Sequence, residues 1–173
     1  VEVEHAYGAW WFSCIPMASI REKGLPLPVF VRCDDVEYGL RSNPTYMTMN
    51  GISVWHESFE GRPRASVDCY QYVRNFLVVA ACDGFVNTEL FMTRVWRNVM
   101  LRRRELEYGA AELLLQGVED YLRGPEWLME VDGSALMRKN AQLNDKFVPL
   151  SEVDPELLDS ADLDAIPPEP HHA

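Results

Sequence analysis

Long apolar runs are missing from this 173-residue chain, because Arg, Asp or Glu interrupts every hydrophobic stretch. None reaches the about 18 consecutive apolar residues that a membrane-spanning helix needs, which excludes such a helix. Basic charge is scarce and unevenly so: 16 Lys and Arg stand against 27 Asp and Glu, and residues 149–173 hold seven of the acids and no base. Setting those seven aside leaves 20 acids against 16 bases, so the body is near −4 while the whole chain is at −11. An acidic chain gains no counterion release on DNA or RNA, which excludes nucleic acid as a partner. Cysteine is sparse and scattered, at Cys14, Cys33, Cys69 and Cys82, with no C-x-x-C pair. That removes support for a zinc knuckle or a thioredoxin motif. No secretory signal precedes these thiols and a chain this long can build a core without bridges, so they are read as free thiols in a reducing, cytoplasmic setting. Val1-Glu2-Val3-Glu4-His5 reads as a cut into an ongoing chain, and a fragment is expected.

What is present is the composition of a globular protein, 47% apolar and 11% aromatic. Tyr7 to Pro16, with Trp10, Trp11 and Phe12 in a row, predicts a buried strand. Met17 to Lys23 predicts one or two helical turns closed by Gly24, after which Pro26 and Pro28 keep the chain extended. Val29 to Arg32 predicts a short strand, and either Asp34 or Asp35 can cap a helix running to about Ser42. Tyr46 to Met49 and Ile52 to Trp55 alternate as strands do, with Asn50-Gly51 as the turn or bulge between them.

From Arg64 the apolar period becomes helical. Val67, Tyr70, Val73, Leu77 and Ala80 predict a long helix over 64–82, broken at Asp83-Gly84. A second helical stretch runs from Thr88 to Leu122 with Phe91, Val95, Val99, Leu106, Leu113, Leu114 and Val118 inward and an interruption at Tyr108-Gly109. Short helices follow Gly124-Pro125 and span Ser134 to Asn144, and beyond Pro149 the acidic, proline-containing chain is expected to be disordered.

The densest polar cluster is Asp34-Asp35-Val36-Glu37, at the junction of the expected strand and helix. A carboxylate placed there can serve as general base or hold a hard cation; the blander reading is a helix cap beside solvated neighbours. His56, at the end of an expected strand, can bind a metal or move a proton, or be an ordinary hydrogen-bonded residue. Trp10 and Trp11 can form a stacking platform for a sugar, or an aromatic core. Arg74 can meet a phosphate or pair with a carboxylate. Arg94, Arg97 and Arg102 to Arg104 can face an anionic membrane or a lipid diphosphate, or form a solvated helix face.

Four blocks in order resemble the family 2 glycosyltransferases, in particular their bacterial galactofuranosyltransferase-like branch. They are Gly8-Ala9-Trp10-Trp11-Phe12-Ser13-Cys14-Ile15-Pro16, the run from Gly24 to Arg41 around Asp34-Asp35-Val36-Glu37-Tyr38-Gly39, Val54-Trp55-His56, and Tyr72-Val73-Arg74-Asn75. Tyr121-Leu122-Arg123-Gly124-Pro125-Glu126 extends the likeness toward residue 150.

The resemblance implies an inverting transfer of a sugar from a nucleotide diphosphate donor to a glycan or lipid-linked glycan acceptor in cell-wall synthesis. It implies an α/β class, α+β within this stretch: residues 1–62 as the acceptor-side half of a glycosyltransferase A-type Rossmann-like domain, 63–148 as a helical C-terminal region, and 149–173 as a tail. By the same resemblance Asp35 is the general base with Asp34 supporting it, Trp10, Trp11 and Glu37 bind acceptor, His56 completes the shell of a Mn²⁺ or Mg²⁺ ion, and Arg74 meets the diphosphate. A homo-oligomer in the cytoplasm, touching the inner face of the membrane peripherally, completes the expectation.

The family has tryptophan where Cys33 stands and histidine near Tyr72. Its Asp-x-Asp motif for metal and diphosphate has no counterpart before Asp34, and Asp162-Leu163-Asp164 fits only as text. The chain is therefore expected to be inactive alone. The rival expectation is a helical binding or assembly module that docks a partner through Trp10 and Trp11.

Overall fold

The computed structural model describes residues 2–3, 8–43, 45–47, 51, 53–55, 64–84, 87–146 and 148–160. Most of them are helical. Helix α1, Met17–Lys23, starts after Pro16 and ends with Arg21 and Lys23 in its last turn, where cations suit the helix dipole. Gly24 then takes φ 78 and its N–H closes the turn on the Ile20 carbonyl at 2.9 Å. Helix α2, Asp34–Ser42, carries Asp34, Asp35 and Glu37 in its first turn and Arg41 in its last, so both ends of its dipole are matched.

Among the described residues, the strand expected over Tyr46 to Met49 forms at Tyr46–Met47, and the other expected strands do not form. Residues 8–16 are a loop with a turn at Trp10-Trp11, and Trp11 and Phe12 are exposed, so this segment lacks the two-sided burial a core strand requires. Val29 to Arg32 is also a loop. Val31 sits at φ 77, outside strand geometry, and the carbonyls of Phe30 and Arg32 accept from the Asn75 side chain instead of a neighbouring strand. Ser53 to Trp55 is irregular, with Trp55 92% exposed, while Gly51 turns at φ 87; Ile52 and Asn50 lie outside the described residues. Among the described residues the sheet consists of β1, Glu2–Val3, antiparallel to β2, Tyr46–Met47, with Glu2 opposite Met47 and Val3 opposite Tyr46.

The core lies in the helices beyond residue 64. A π-helical turn over Ser66–Gln71 leads into α3, Tyr72–Asp83, and is followed by α4, Thr88–Arg104, and α5, Tyr108–Leu122. Tyr70, Val73, Leu77, Phe91, Val95, Val99, Leu113 and Leu114 are buried together, as the helical spacing predicts. Phe76 stacks on Phe91 at 4.2 Å between ring centroids. Leu106 departs from the expectation: it is 70% exposed with φ 63, because the break between α4 and α5 falls at Glu105 to Glu107 and not at Tyr108-Gly109. Arg102 fixes that break by pairing with Glu105 at 3.1 Å and Glu107 at 2.7 Å. Gly109 sits inside α5, and its bare Cα lets the Leu143 carbonyl approach.

Gly117 is a second close approach. A Cβ there would lie 3.0 Å from the Tyr70 carbonyl oxygen, 3.2 Å from the Val73 Cβ and 3.3 Å from the Arg74 nitrogen. Gly117→Ala should therefore destabilise the protein by about 1–3 kcal/mol through overpacking, although alanine is intrinsically favoured over glycine in a helix by about 1 kcal/mol. A urea midpoint equal to or above wild type would show that α5 moves away freely.

Helices α6, Pro125–Glu130, and α7, Gly133–Asn140, complete the body, and Asp132 caps α7 by accepting from the Ala135 N–H at 3.0 Å. The expected disorder after Pro149 is corrected over 150–160. A 3₁₀ turn spans Leu150–Glu152 and α8 spans Pro155–Ser160, started by Asp154 accepting from the Glu156 N–H at 3.0 Å with proline at the first helical position. Among the described residues no helix is long and apolar enough to cross a membrane.

Candidate functional site

The Asp34-Asp35 pair stands where the loop 29–33 enters α2. Neither aspartate is the cap. Cys33 occupies that position at φ 69, and the aspartates fill the first turn. Asp35 Oδ1 accepts from the Val36 N–H at 2.8 Å. Burial pushes the Asp35 carboxyl above its ordinary value and the charge of Asp34 adds to the rise, while backbone N–H groups, including that of Trp10, oppose it. The Cys33 thiol is pushed up to about 11, first by burial and then by both aspartates, so it stays neutral beside them. A raised carboxyl that remains reachable is suited to taking a proton from a hydroxyl.

The structure brings Trp10 to this carboxylate. Its backbone approaches Asp35, and its ring meets the Tyr38 ring edge-on at 6.0 Å and 64°. Tyr38 is buried, donates its hydroxyl to the Gly24 carbonyl at 3.1 Å and lies under the Arg41 guanidinium at 5.0 Å. Trp11 is 58% exposed, which leaves an indole surface on the same loop.

Glu37, expected at the acceptor, is fully buried. Its carboxylate binds Arg41 within one helical turn, and Arg41 also donates to the carbonyls of Lys23 and, at 3.0 Å, Leu25. Glu37 thus ties α2 to the end of α1 from behind the site.

Arg74, expected at a diphosphate, is 8% exposed and engaged by protein groups. It donates to Asn75 Oδ1 at 2.8 and 3.1 Å, to Gln71 Oε1 at 2.7 Å and to the Tyr70 hydroxyl at 3.3 Å. The Tyr70 hydroxyl in turn donates to Asp120 at 2.7 Å, and Asp120 pairs with Arg123 at 3.1 Å. Burial, and then the bond to Asp120, push the Tyr70 phenol well above its usual value, so it stays protonated.

Asn75 is the residue that sequence reasoning passed over. Fully buried on α3, it accepts from Arg74 and donates through Nδ2 to the Phe30 carbonyl at 3.1 Å and the Arg32 carbonyl at 2.9 Å. Those two carbonyls flank Val31, whose left-handed conformation is costly for a β-branched side chain. Arg32 adds an ion pair with Asp68 on the π-helical turn. The loop that presents Asp34 and Asp35 is therefore fastened to the helical core. The only sequence signal for this was an asparagine on an apolar helix face, in the block where Arg74 drew attention.

His56 lies outside the described residues. Among the described residues no three His, Cys, Asp or Glu side chains converge as a metal group would require. Asp34 and Asp35 alone do not make a divalent-cation site.

Comparison with known proteins places these observations. No protein-family model matches the chain, and no solved structure matches it significantly. The galactofuranosyltransferase GlfT2 of Mycobacterium tuberculosis (strain ATCC 25618 / H37Rv) is 34% identical over 138 residues, covering 75% of this chain and 22% of that protein. The galactofuranosyltransferase GlfT2 of Mycolicibacterium smegmatis (strain ATCC 700084 / mc(2)155) is 33% identical over 140 residues, covering 78% of this chain and 21% of that protein. The chain thus spans about a fifth of the length of the curated relatives it matches. Over three quarters of its own length, the chain is related to the galactofuranosyltransferases.

Proposed function

We propose that this chain forms the acceptor side of an inverting galactofuranosyltransferase acting in cell-wall glycan synthesis. The observation that carries the reading is the carboxyl of Asp35, raised by burial, at the start of α2 and beside Trp10. In this reading Asp35 takes the proton of an acceptor hydroxyl as that oxygen attacks the anomeric carbon, and the nucleoside diphosphate leaves from the opposite face. Asp34 keeps the Asp35 carboxyl basic, and Trp10 and Trp11 face the acceptor sugar. Glu37 and Arg74 act from behind, the first holding α2 and the second holding Asn75.

The donor is a nucleotide diphosphate sugar and the acceptor a glycan or lipid-linked glycan, which sets the reaction in the cytoplasm at the inner membrane face. Mn²⁺ or Mg²⁺ belongs to the donor diphosphate, with His56 as one ligand and others from a Rossmann-like half that would carry Asp-x-Asp. The division at 62/63 separates the acceptor side from the helical region, and this chain alone should not turn over. The test is a transfer assay on the enzyme that carries this segment, with a nucleotide diphosphate galactofuranose and a galactofuranosyl acceptor, read by NMR of the new glycosidic bond. A product of inverted anomeric configuration is expected. Retention, or no transfer at saturating donor, would reject the reading.

Self-association belongs to the same proposal and rests on exposed apolar surface. The loops around α1 expose Trp11, Phe12, Leu25 and Phe30, and apolar surface of this kind seeks a partner. Sedimentation at micromolar concentration should show a dimer or larger species. A monomer across that range would overturn the expectation.

A further inference from the structure

Helix α4 carries five arginines and one glutamate in an otherwise acidic chain. Three of the five are accounted for locally. Arg102, Arg103 and Arg104 fill the last turn, where cations suit the helix dipole, and Arg102 also pairs with Glu105 and Glu107. Arg94 and Arg97 have no such account. They sit in the middle of the helix, three residues apart, with no acid at three or four residues on either side and no ion pair among the described residues. Like charges at this spacing disfavour a helix, so an anion between them would relieve a cost that the fold leaves in place.

Both arginines line one cavity of about 490 Å³, between the π-helical turn, α3 and α4. Asn98 and Arg102 add donors to that wall, and Tyr72 and Phe91 supply an aromatic side. Asp68, the carboxylate that also lines the cavity, is already committed: it pairs with Arg32 and accepts from the Arg64 N–H at 3.0 Å. The lining therefore combines unpaired guanidinium groups, an amide and aromatic surface. The volume exceeds what a bare phosphate ion needs and falls within the range of small-ligand sites. Guanidinium groups bind phosphate oxygens in bidentate fashion, and the aromatic side suits an apolar or ring substituent on the phosphate.

We propose that this cavity binds a phosphate or diphosphate ester through Arg94, Arg97 and Asn98, with the ester's organic group against Tyr72 and Phe91. Neither Asp34 nor Asp35 lines the cavity, and the proposal does not depend on the transferase reading. The same chemistry is offered by a soluble phosphate ester and by a phosphomonoester lipid headgroup.

The experiment has two arms on the full chain. Inorganic pyrophosphate is titrated calorimetrically, and flotation is measured with phosphatidylcholine vesicles with and without phosphatidic acid. Saturable pyrophosphate binding that weakens more than tenfold in Arg94→Gln/Arg97→Gln supports the site and a soluble source. Flotation only with phosphatidic acid, lost in the same variant, supports the site and the headgroup source. Arg103→Gln/Arg104→Gln, on the same helix but outside the cavity, should bind as wild type in either arm. Arg97→Gln alone should weaken binding severalfold and serves if the double variant misfolds by circular dichroism. No binding in either arm, unchanged binding in the cavity variants, or an equal loss in Arg103→Gln/Arg104→Gln would overturn the proposal, the last by revealing unspecific charge attraction.

Discussion

Asp35→Asn should lower turnover of the enzyme that carries this segment by about 10²-fold or more, within the usual range for loss of a general base. The substitution isolates the chemistry because asparagine can still accept the Val36 N–H through its carbonyl oxygen and so keeps the first turn of α2 in place. Donor affinity should change little, which places the loss in kcat. The pH profile supplies a signed check. Burial raises the Asp35 carboxyl and Asp34 raises it further, so the acid limb of kcat/KM should lie above the ordinary aspartate value. Activity grows as pH rises through that limb, because the base works only when deprotonated. Asp34→Asn removes one of the raising charges and should move the limb to lower pH. Near-normal turnover in Asp35→Asn, or an acid limb unmoved in Asp34→Asn, would assign the base elsewhere.

The helical body was legible from apolar spacing because its burial is decided within each helix: Tyr70, Val73 and Leu77, then Phe91, Val95 and Val99, fall inward where the period puts them. Long-range polar contacts were not legible. Val29 to Arg32 has strand composition, yet its carbonyls go to a side chain 43 to 45 residues later in the chain, and no local pattern announces such a partner. The break before α5 was misplaced for a related reason, since the sequence offers Gly109 as a breaker while the fold spends that glycine on contact with Leu143. The Asp34-Asp35 pair could be found by composition, at a loop end entering a helix. The burial of Glu37 could not, because its partner Arg41 looks like any exposed pair one turn apart until the loop after α1 closes over it.

The fastening of the loop can be tested apart from the stability of the core, since Asn75 uses its oxygen for one and its amide hydrogens for the other. Asn75→Leu has similar volume but gives neither. It leaves the carbonyls of Phe30 and Arg32 unbonded and strips the buried Arg74 of an acceptor that now takes two of its hydrogen bonds. Hydrogen bonds to a charged group are worth about 1.5–3 kcal/mol each, so a loss of about 3 kcal/mol in unfolding free energy is expected. Asn75→Asp separates the two roles. Its carboxylate still accepts from Arg74, now as an ion pair, but it faces the Phe30 and Arg32 carbonyls with oxygen in place of N–H. Those carbonyls should be driven off while the helices stay paired. The left-handed conformations at Val31 and Cys33, which cost of order 1–3 kcal/mol each, then lose the Asn75 clamp and should relax. Hydrogen exchange should accordingly speed up across residues 30–36 in Asn75→Asp while the amides of α3 and α5 remain protected. Catalysis should fall with the loop, because Asp35 is presented by it. Wild-type protection of residues 30–36 in Asn75→Asp would mean that the loop holds its shape without the clamp, and that Asn75 serves the core alone.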